Sequence, residues 1–174
     1  MAKGSATAAY TAPILVLGLG NPHSGDAGLG SILLEKLEQR YRYAGGFVEF
    51  IDGGTDGLEL LRCLPGRQAV VVLDAVENGS VPGTVSVLEG SEVLRYATAE
   101  SPICHQGDAH ELLATAAFLG DLPENFYVVG VQGSDASDGS TLSVPVNNGL
   151  TIATQKAQEI IDYWLVTLAE PVHA

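Results

Sequence analysis

Residues 14–30 read ILVLGLGNPHSGDAGLG. The uncharged apolar run Ile14 to Leu17 has the composition of a strand buried on both faces, the mark of a parallel sheet. It stops at Gly18-Leu19-Gly20-Asn21-Pro22, where two glycines and a proline turn the backbone. Asp26 then precedes an amphipathic helix predicted to run to about Arg40. A polar loop between a buried strand and a helix falls at the carboxyl edge of an open α/β sheet, where such folds place their sites. This one loop therefore points to the fold class and to the place where chemistry is expected.

Working outward, Leu29, Ile32, Leu33, Leu37 and Tyr41 recur at helical spacing, opposite Glu35, Lys36, Glu38 and Arg40. Phe47 to Ile51 reads as a strand with one more exposed face, running into the tight loop Asp52-Gly53-Gly54-Thr55-Asp56-Gly57. Thr55 or Asp56 is placed to cap a short helix, Leu58 to Cys63. Ala69 to Leu73 is the most apolar strand, hence central, and ends at Asp74. A turn-rich link with Asn78-Gly79 and Pro82-Gly83 leads to a strand at Thr84 to Leu88, close enough to pair antiparallel with its predecessor. A short helix at Glu92 to Ala97 is followed by a polar loop, Glu100 to Asp108, that holds His105. Then come a helix from about Ala109 to Leu119, a strand at Phe126 to Val131 and a long polar loop, Ser134 to Asn148. The closing helix is expected over Leu150 to Leu168, with Ile152, Ile160, Ile161, Trp164 and Leu168 on its buried side. This alternation predicts a three-layer α/β/α sandwich around a mostly parallel, mixed sheet of five or six strands. Residues 1–12 are expected to be a disordered extension and 13–174 a single domain.

The length of 174 residues suits one domain with a sizeable core. A formal net charge of −13 argues against binding nucleic acid through its phosphates. No apolar segment reaches the roughly 18 residues that a membrane helix needs, and residues 1–12 lack the apolar core of a signal peptide. The two cysteines, Cys63 and Cys104, have no metal-ligand spacing and read as small buried hydrophobes in a reducing compartment. A cytoplasmic protein is the expectation.

Asp26, Asp52, Asp74 and His105 fall after successive predicted strands or before a helix, and in a parallel sheet such ends converge on one edge. Aspartate with histidine suits a borderline metal such as zinc or nickel. The same aspartates are also the residues that turns and caps favour, so pattern alone leaves both readings open. Other chemistry has less support. Gly18-x-Gly20 lacks the third glycine of a dinucleotide fingerprint, and Ser24 and Ser101 stand in no nucleophile elbow. Cys104 and His105 are sequence neighbours, which point apart in a strand and form no dyad by adjacency. His110 is expected on a helix surface and His173 has no nameable partner, whereas His23 lies inside the opening loop.

Taken in order, these pieces resemble the hydrogenase maturation endopeptidases. The resemblance spans about Ile14 to Leu168 and is carried by GLGNPHSGDAGLG, DGGTDGLELL (Asp52 to Leu61), VVLDAV (Val71 to Val76), PGT (Pro82 to Thr84), His105-Gln106 before a helix, and VVGV (Val128 to Val131). It implies a phosphorylase/hydrolase-like α/β fold and a nickel-dependent protease, working as a monomer. The implied activity removes the C-terminal peptide from the nickel-loaded precursor of a [NiFe]-hydrogenase large subunit, without a serine or cysteine nucleophile. Nickel, carried by the precursor, is the implied metal, and other divalent metals can substitute for it.

The resemblance further implies Asp74 and His105 as metal ligands and catalytic residues. It implies Asp26, Asp52, Gly53, Gly54 and Thr55 as the surface that reads the precursor. The third ligand of the family is the second acidic residue of a Gly-Asp-(Asp/Glu) element, which here reads Gly25-Asp26-Ala27. A methyl group donates no lone pair, so the implied site is one ligand short and cleavage is expected to be impaired. An introduced substitution and natural divergence would leave the same signature.

Two other functions fit parts of the pattern. Peptidyl-tRNA hydrolase shares a strand ending in Gly-Leu-Gly-Asn-Pro, but needs a basic surface and a histidine that helix Leu29 to Arg40 lacks. A non-catalytic module that binds metalloprotein precursors without cutting them is supported by Ala27. A nickel-storage protein is disfavoured, since there is no histidine-rich tract.

Overall fold

The structure is a computed structural model that describes residues 11–55, 57–98, 109–134 and 139–170. Strand β1, Ile14–Leu19, is buried along its whole length, as its unbroken apolar sequence requires. It pairs in parallel with β2, Val48–Gly54, on one side and with β3, Ala69–Val76, on the other. Strand β5, Phe126–Gln132, adds in parallel to β3, and β4, Val85–Glu89, closes that edge antiparallel to β5. The strand order is β2-β1-β3-β5-β4, a mixed five-stranded sheet among the described residues.

Strand β4 thus pairs with β5 and not with β3, which precedes it in sequence. Both edges of β3 are taken by parallel neighbours. Its first six residues are all buried, as suits a central strand, whereas β4 is half-exposed and tolerates the rim.

Helices α1, Leu29–Tyr41, and α4, Val144–Ala169, cover one face of the sheet. Helices α2, Ser91–Thr98, and α3, Ala109–Leu119, cover the other with a 3-10 helix at Gly57–Cys63. The strands serve the two layers by simple alternation. Ile14, Val16, Val71, Leu73, Val129 and Val131 pack with α1 and α4. Leu15, Leu17, Val70, Val72 and Val128 pack with α2 and α3. The three-layer α/β/α sandwich is the fold expected from sequence.

Three local expectations are corrected. The closing helix begins at Val144, six residues earlier than predicted, because Ser143 stands at the N-cap and Pro145 in the first turn. On that helix Ile152 is 53% exposed, and Gly149, Ala153 and Ala157 are buried instead. Small residues let the helix lie close: a Cβ on Gly149 would come within 2.5 Å of the Gly83 carbonyl. Asp52, Gly53 and Gly54 belong to β2 and not to a loop after it, through a register shift between Gly18 and Leu19. At the other end of the chain, Ala12 is buried and its carbonyl accepts a hydrogen bond from Arg67 Nη1. Residues 1–10 of the predicted extension lie outside the described residues. No described helix is long and apolar enough to cross a membrane.

Candidate active site

At the carboxyl edge of the sheet, β2 ends with Asp52, Gly53 and Gly54, Asp74 lies near the end of β3, and the turn that carries Asp26 follows β1. After β1 the chain turns through Gly20, whose φ of 102° is open to glycine and strained for other residues. A Cβ there would also sit 1.8 Å from the Ala27 carbonyl oxygen. A 3-10 turn over Gly25–Gly28 follows, packed against β3, and α1 starts directly after it. Close approach fixes this start. A Cβ on Gly30 would lie 2.2 Å from the Leu19 carbonyl and 2.3 Å from that of Leu73.

Within the turn, adjacent residues face opposite ways. Asp26 is 4% exposed and Ala27 is exposed. Asp26 Oδ1 accepts a hydrogen bond from the Ser143 amide at 2.7 Å. Oδ2 accepts from the Ser143 hydroxyl at 2.8 Å and from the Ser134 amide at 3.0 Å. Its carboxylate is directed into the protein, toward the end of β5 and the start of α4, and not to the open edge.

Asp74 is also buried, 5% exposed, near the end of β3. Its Oδ2 accepts the Ala109 amide at 2.9 Å, at the N-terminus of α3, where helix amides favour a negative charge. Asp52 is exposed, and its Oδ1 accepts from Ser31 Oγ and from the Gly54 amide, both at 3.0 Å. Gly54 takes φ +52°, so the Asp52-Gly53-Gly54 segment is held by its own first side chain. A Cβ on Gly53 would lie 2.5 Å from Leu60 Cδ1 and 2.7 Å from Leu19 Cδ2, so both leucine side chains would have to shift to admit one. Thr55 is exposed just beyond.

His105 lies outside the described residues, as do Cys104, Ser101 and His173. Among the described residues no three His, Cys, Asp or Glu side chains form a metal-holding group. Among the described residues the edge offers the buried carboxylate of Asp74 and the exposed one of Asp52, beside a turn whose exposed residue is Ala27. His23 is exposed, its amide bonded to Asn21 Oδ1. His110, on α3, packs edge-to-face against Tyr96 of α2. Cys63 is a half-buried free thiol against the α2–α3 side of the core.

A family model described as HycI, hydrogenase maturation protease, matches residues 32–160. The chain belongs to the hydrogenase maturation protease family. It is 38% identical over 153 residues to the hydrogenase expression/formation protein HoxM of Azotobacter vinelandii, covering 87% of this chain and 73% of that protein. It is 39% identical over 120 residues to the hydrogenase 2 maturation protease of Escherichia coli, covering 68% and 71%. Among solved structures it resembles the hydrogenase maturating endopeptidase HybD from E. coli. There the TM-score is 0.70 and the identity 29%, over 86% of this chain and 92% of that one. The matched segment of this maturation protease starts at Ile32, beyond the turn that carries Ala27.

Sequence reasoning missed Ser31, Ser134 and Ser143, which hold the site's aspartates. Ser31 had a readable signal, being a polar residue at a buried position of an amphipathic helix. The two others are 108 and 117 residues from the aspartate they bind, and local pattern carries no trace of that.

Proposed function

We propose that this chain is an endopeptidase that removes the C-terminal peptide from the nickel-loaded precursor of a [NiFe]-hydrogenase large subunit, and that Ala27 impairs it. Family membership supports the reaction class. The carrying observation is the turn over Gly25–Gly28, packed against β3, the strand that bears Asp74: it sends Asp26 inward and leaves residue 27 exposed. In this reading Asp74 and His105 supply two donors to the nickel that the precursor brings. A carboxylate at position 27 would be the third. The chemistry such a cation supplies is polarisation of the scissile carbonyl. Asp52, Gly53, Gly54 and Thr55 line the same edge and contact the precursor. The protein acts as a monomer in the cytoplasm.

The test is a gel-shift cleavage assay on nickel-loaded precursor with the native chain and with Ala27→Glu and Ala27→Asp. Faster processing by either variant is the expected result, and no gain by both overturns the impairment. Ala27 also favours a second reading, a non-catalytic module that binds metalloprotein precursors. Equal, weak Ni2+ binding by calorimetry in the native and Ala27→Glu chains, with precursor still captured, would select the module.

A further inference from the structure

We infer that Asp26 is the positioning residue of this site: its carboxylate clamps the turn that presents residue 27 onto the start of α4 and the end of β5. The inference rests on the reading above that residue 27 is a ligand position, and it assigns to Asp26 a task distinct from binding metal or substrate.

The hydrogen bonds carry the case. Both carboxylate oxygens accept from Ser143, one from its amide and one from its hydroxyl, and Oδ2 also accepts from the Ser134 amide. Ser143 is the N-cap of α4, yet its side chain makes no capping bond to the helix. The hydroxyl that would ordinarily satisfy a helix amide is turned to Asp26 instead. A buried carboxylate with this many donors is fixed in one orientation.

The opposite side of the turn is fixed by backbone contact. A Cβ at Gly20 would overlap the Ala27 carbonyl, and one at Gly28 would lie 2.4 Å from the Asn21 carbonyl. Residue 27 is therefore held from two sides through its backbone and through its neighbour, while its own side chain does none of the holding. In a 3-10 turn successive side chains are spaced by about 120°, so an anchored Asp26 aims residue 27 away from the core. Metal ligands must stand within about 0.2 Å of their ideal distance, which a loosely held turn cannot guarantee.

Six chains test this: native, Asp26→Asn, Ser143→Ala, Ala27→Glu, the double variant Asp26→Asn with Ala27→Glu, and Ala27→Glu with Tyr41→Phe. Asparagine puts an amide donor where a carboxylate oxygen met protein donors. Tyr41→Phe removes a bond between α1 and α4 and serves as a control for stability alone. Hydrogen exchange, thermal melting and Ni2+ calorimetry are read at a temperature where every chain is folded.

Asp26→Asn is expected to speed exchange at residues 25–30 and 143–147 and leave the β2 amides unchanged. The double variant should bind Ni2+ about tenfold or more weakly than Ala27→Glu. The Tyr41→Phe control should lower the melting temperature without that loss of affinity. Ser143→Ala, which removes one bond only, should give the same exchange pattern at smaller amplitude and covers the case of a poorly folding Asp26→Asn. Unchanged exchange at residues 25–30, or equal loss of Ni2+ affinity with Tyr41→Phe, overturns the inference. An Ala27→Glu chain that binds no Ni2+ overturns the ligand reading of position 27, and with it the positioning task. The exchange pattern then shows separately whether the clamp exists.

Discussion

Ser31 Oγ lies 2.8 Å from the Gly20 carbonyl and 3.0 Å from Asp52 Oδ1. One hydroxyl in the first turn of α1 thus shares its proton between the loop after β1 and the end of β2. It ties together the two segments that flank the candidate site.

Ser31→Ala removes that tie and leaves Asp52 with the Gly54 amide. The expected cost is about 1 kcal/mol, the usual net value of such a hydrogen bond. For a domain of this size that lowers the melting temperature by about 2–4 °C. A thermal scan of the two chains checks it, and an unshifted midpoint would mean that water replaces the contact without loss.

Gly30→Ala should be far more damaging. The added methyl would overlap two backbone carbonyls, those of Leu19 and Leu73, and neither can move without displacing β1 or β3. A loss of about 3 kcal/mol or more is expected, at the upper end of overpacking. Gly45→Ala is the matched control, since nothing lies within 4 Å of a Cβ there. Urea unfolding of the two variants should separate them clearly, and similar midpoints would refute the packing of α1 on β1 and β3.

Tyr41 gives the chain an alkaline limit. Its phenol is held well above its ordinary pKa of 10.0, first by burial and then by its hydrogen bond to Asp162 Oδ1 at 2.6 Å. In the folded state the proton stays on at a pH where the unfolded chain has lost it. The contact therefore contributes fully below about pH 10 and is lost progressively as the pH rises beyond that. Tyr41→Phe should lower the melting temperature at pH 7 and reduce its decline above pH 10. Parallel curves for the two proteins across that range would refute the assignment.

Sequence periodicity reached those features that depend on neighbours in the chain. The burial of β1, the face of α1 and the central place of β3 follow from runs and spacings within about a dozen residues, although β3 continues through Asp74 to Val76 instead of stopping at Leu73. Features that depend on distant partners were not legible. Nothing in Thr84 to Leu88 states that β5 will come between it and β3. Apolar character pointed to Ile152 as a core residue, but the close approach of α4 to the sheet is set by Gly149, Ala153 and Ala157. Polar composition around Ser143 read as loop and concealed a helix start. The carboxylates of the site were legible as residue types at strand ends. That one of them, Asp26, faces inward became evident only from its partners Ser134, just past β5, and Ser143, at the N-cap of α4.

The exposed methyl of Ala27 has a consequence at the level of the gene. Alanine codons differ from those of aspartate and glutamate by a single base, at the second position. The turn around residue 27 is shaped by Gly20, Asp26 and Gly28, none of which relies on the side chain at 27. One point mutation therefore separates this chain from one with a carboxylate at position 27, and neither the hydrogen bonds of Asp26 nor the close glycine contacts of the turn involve the side chain that it changes.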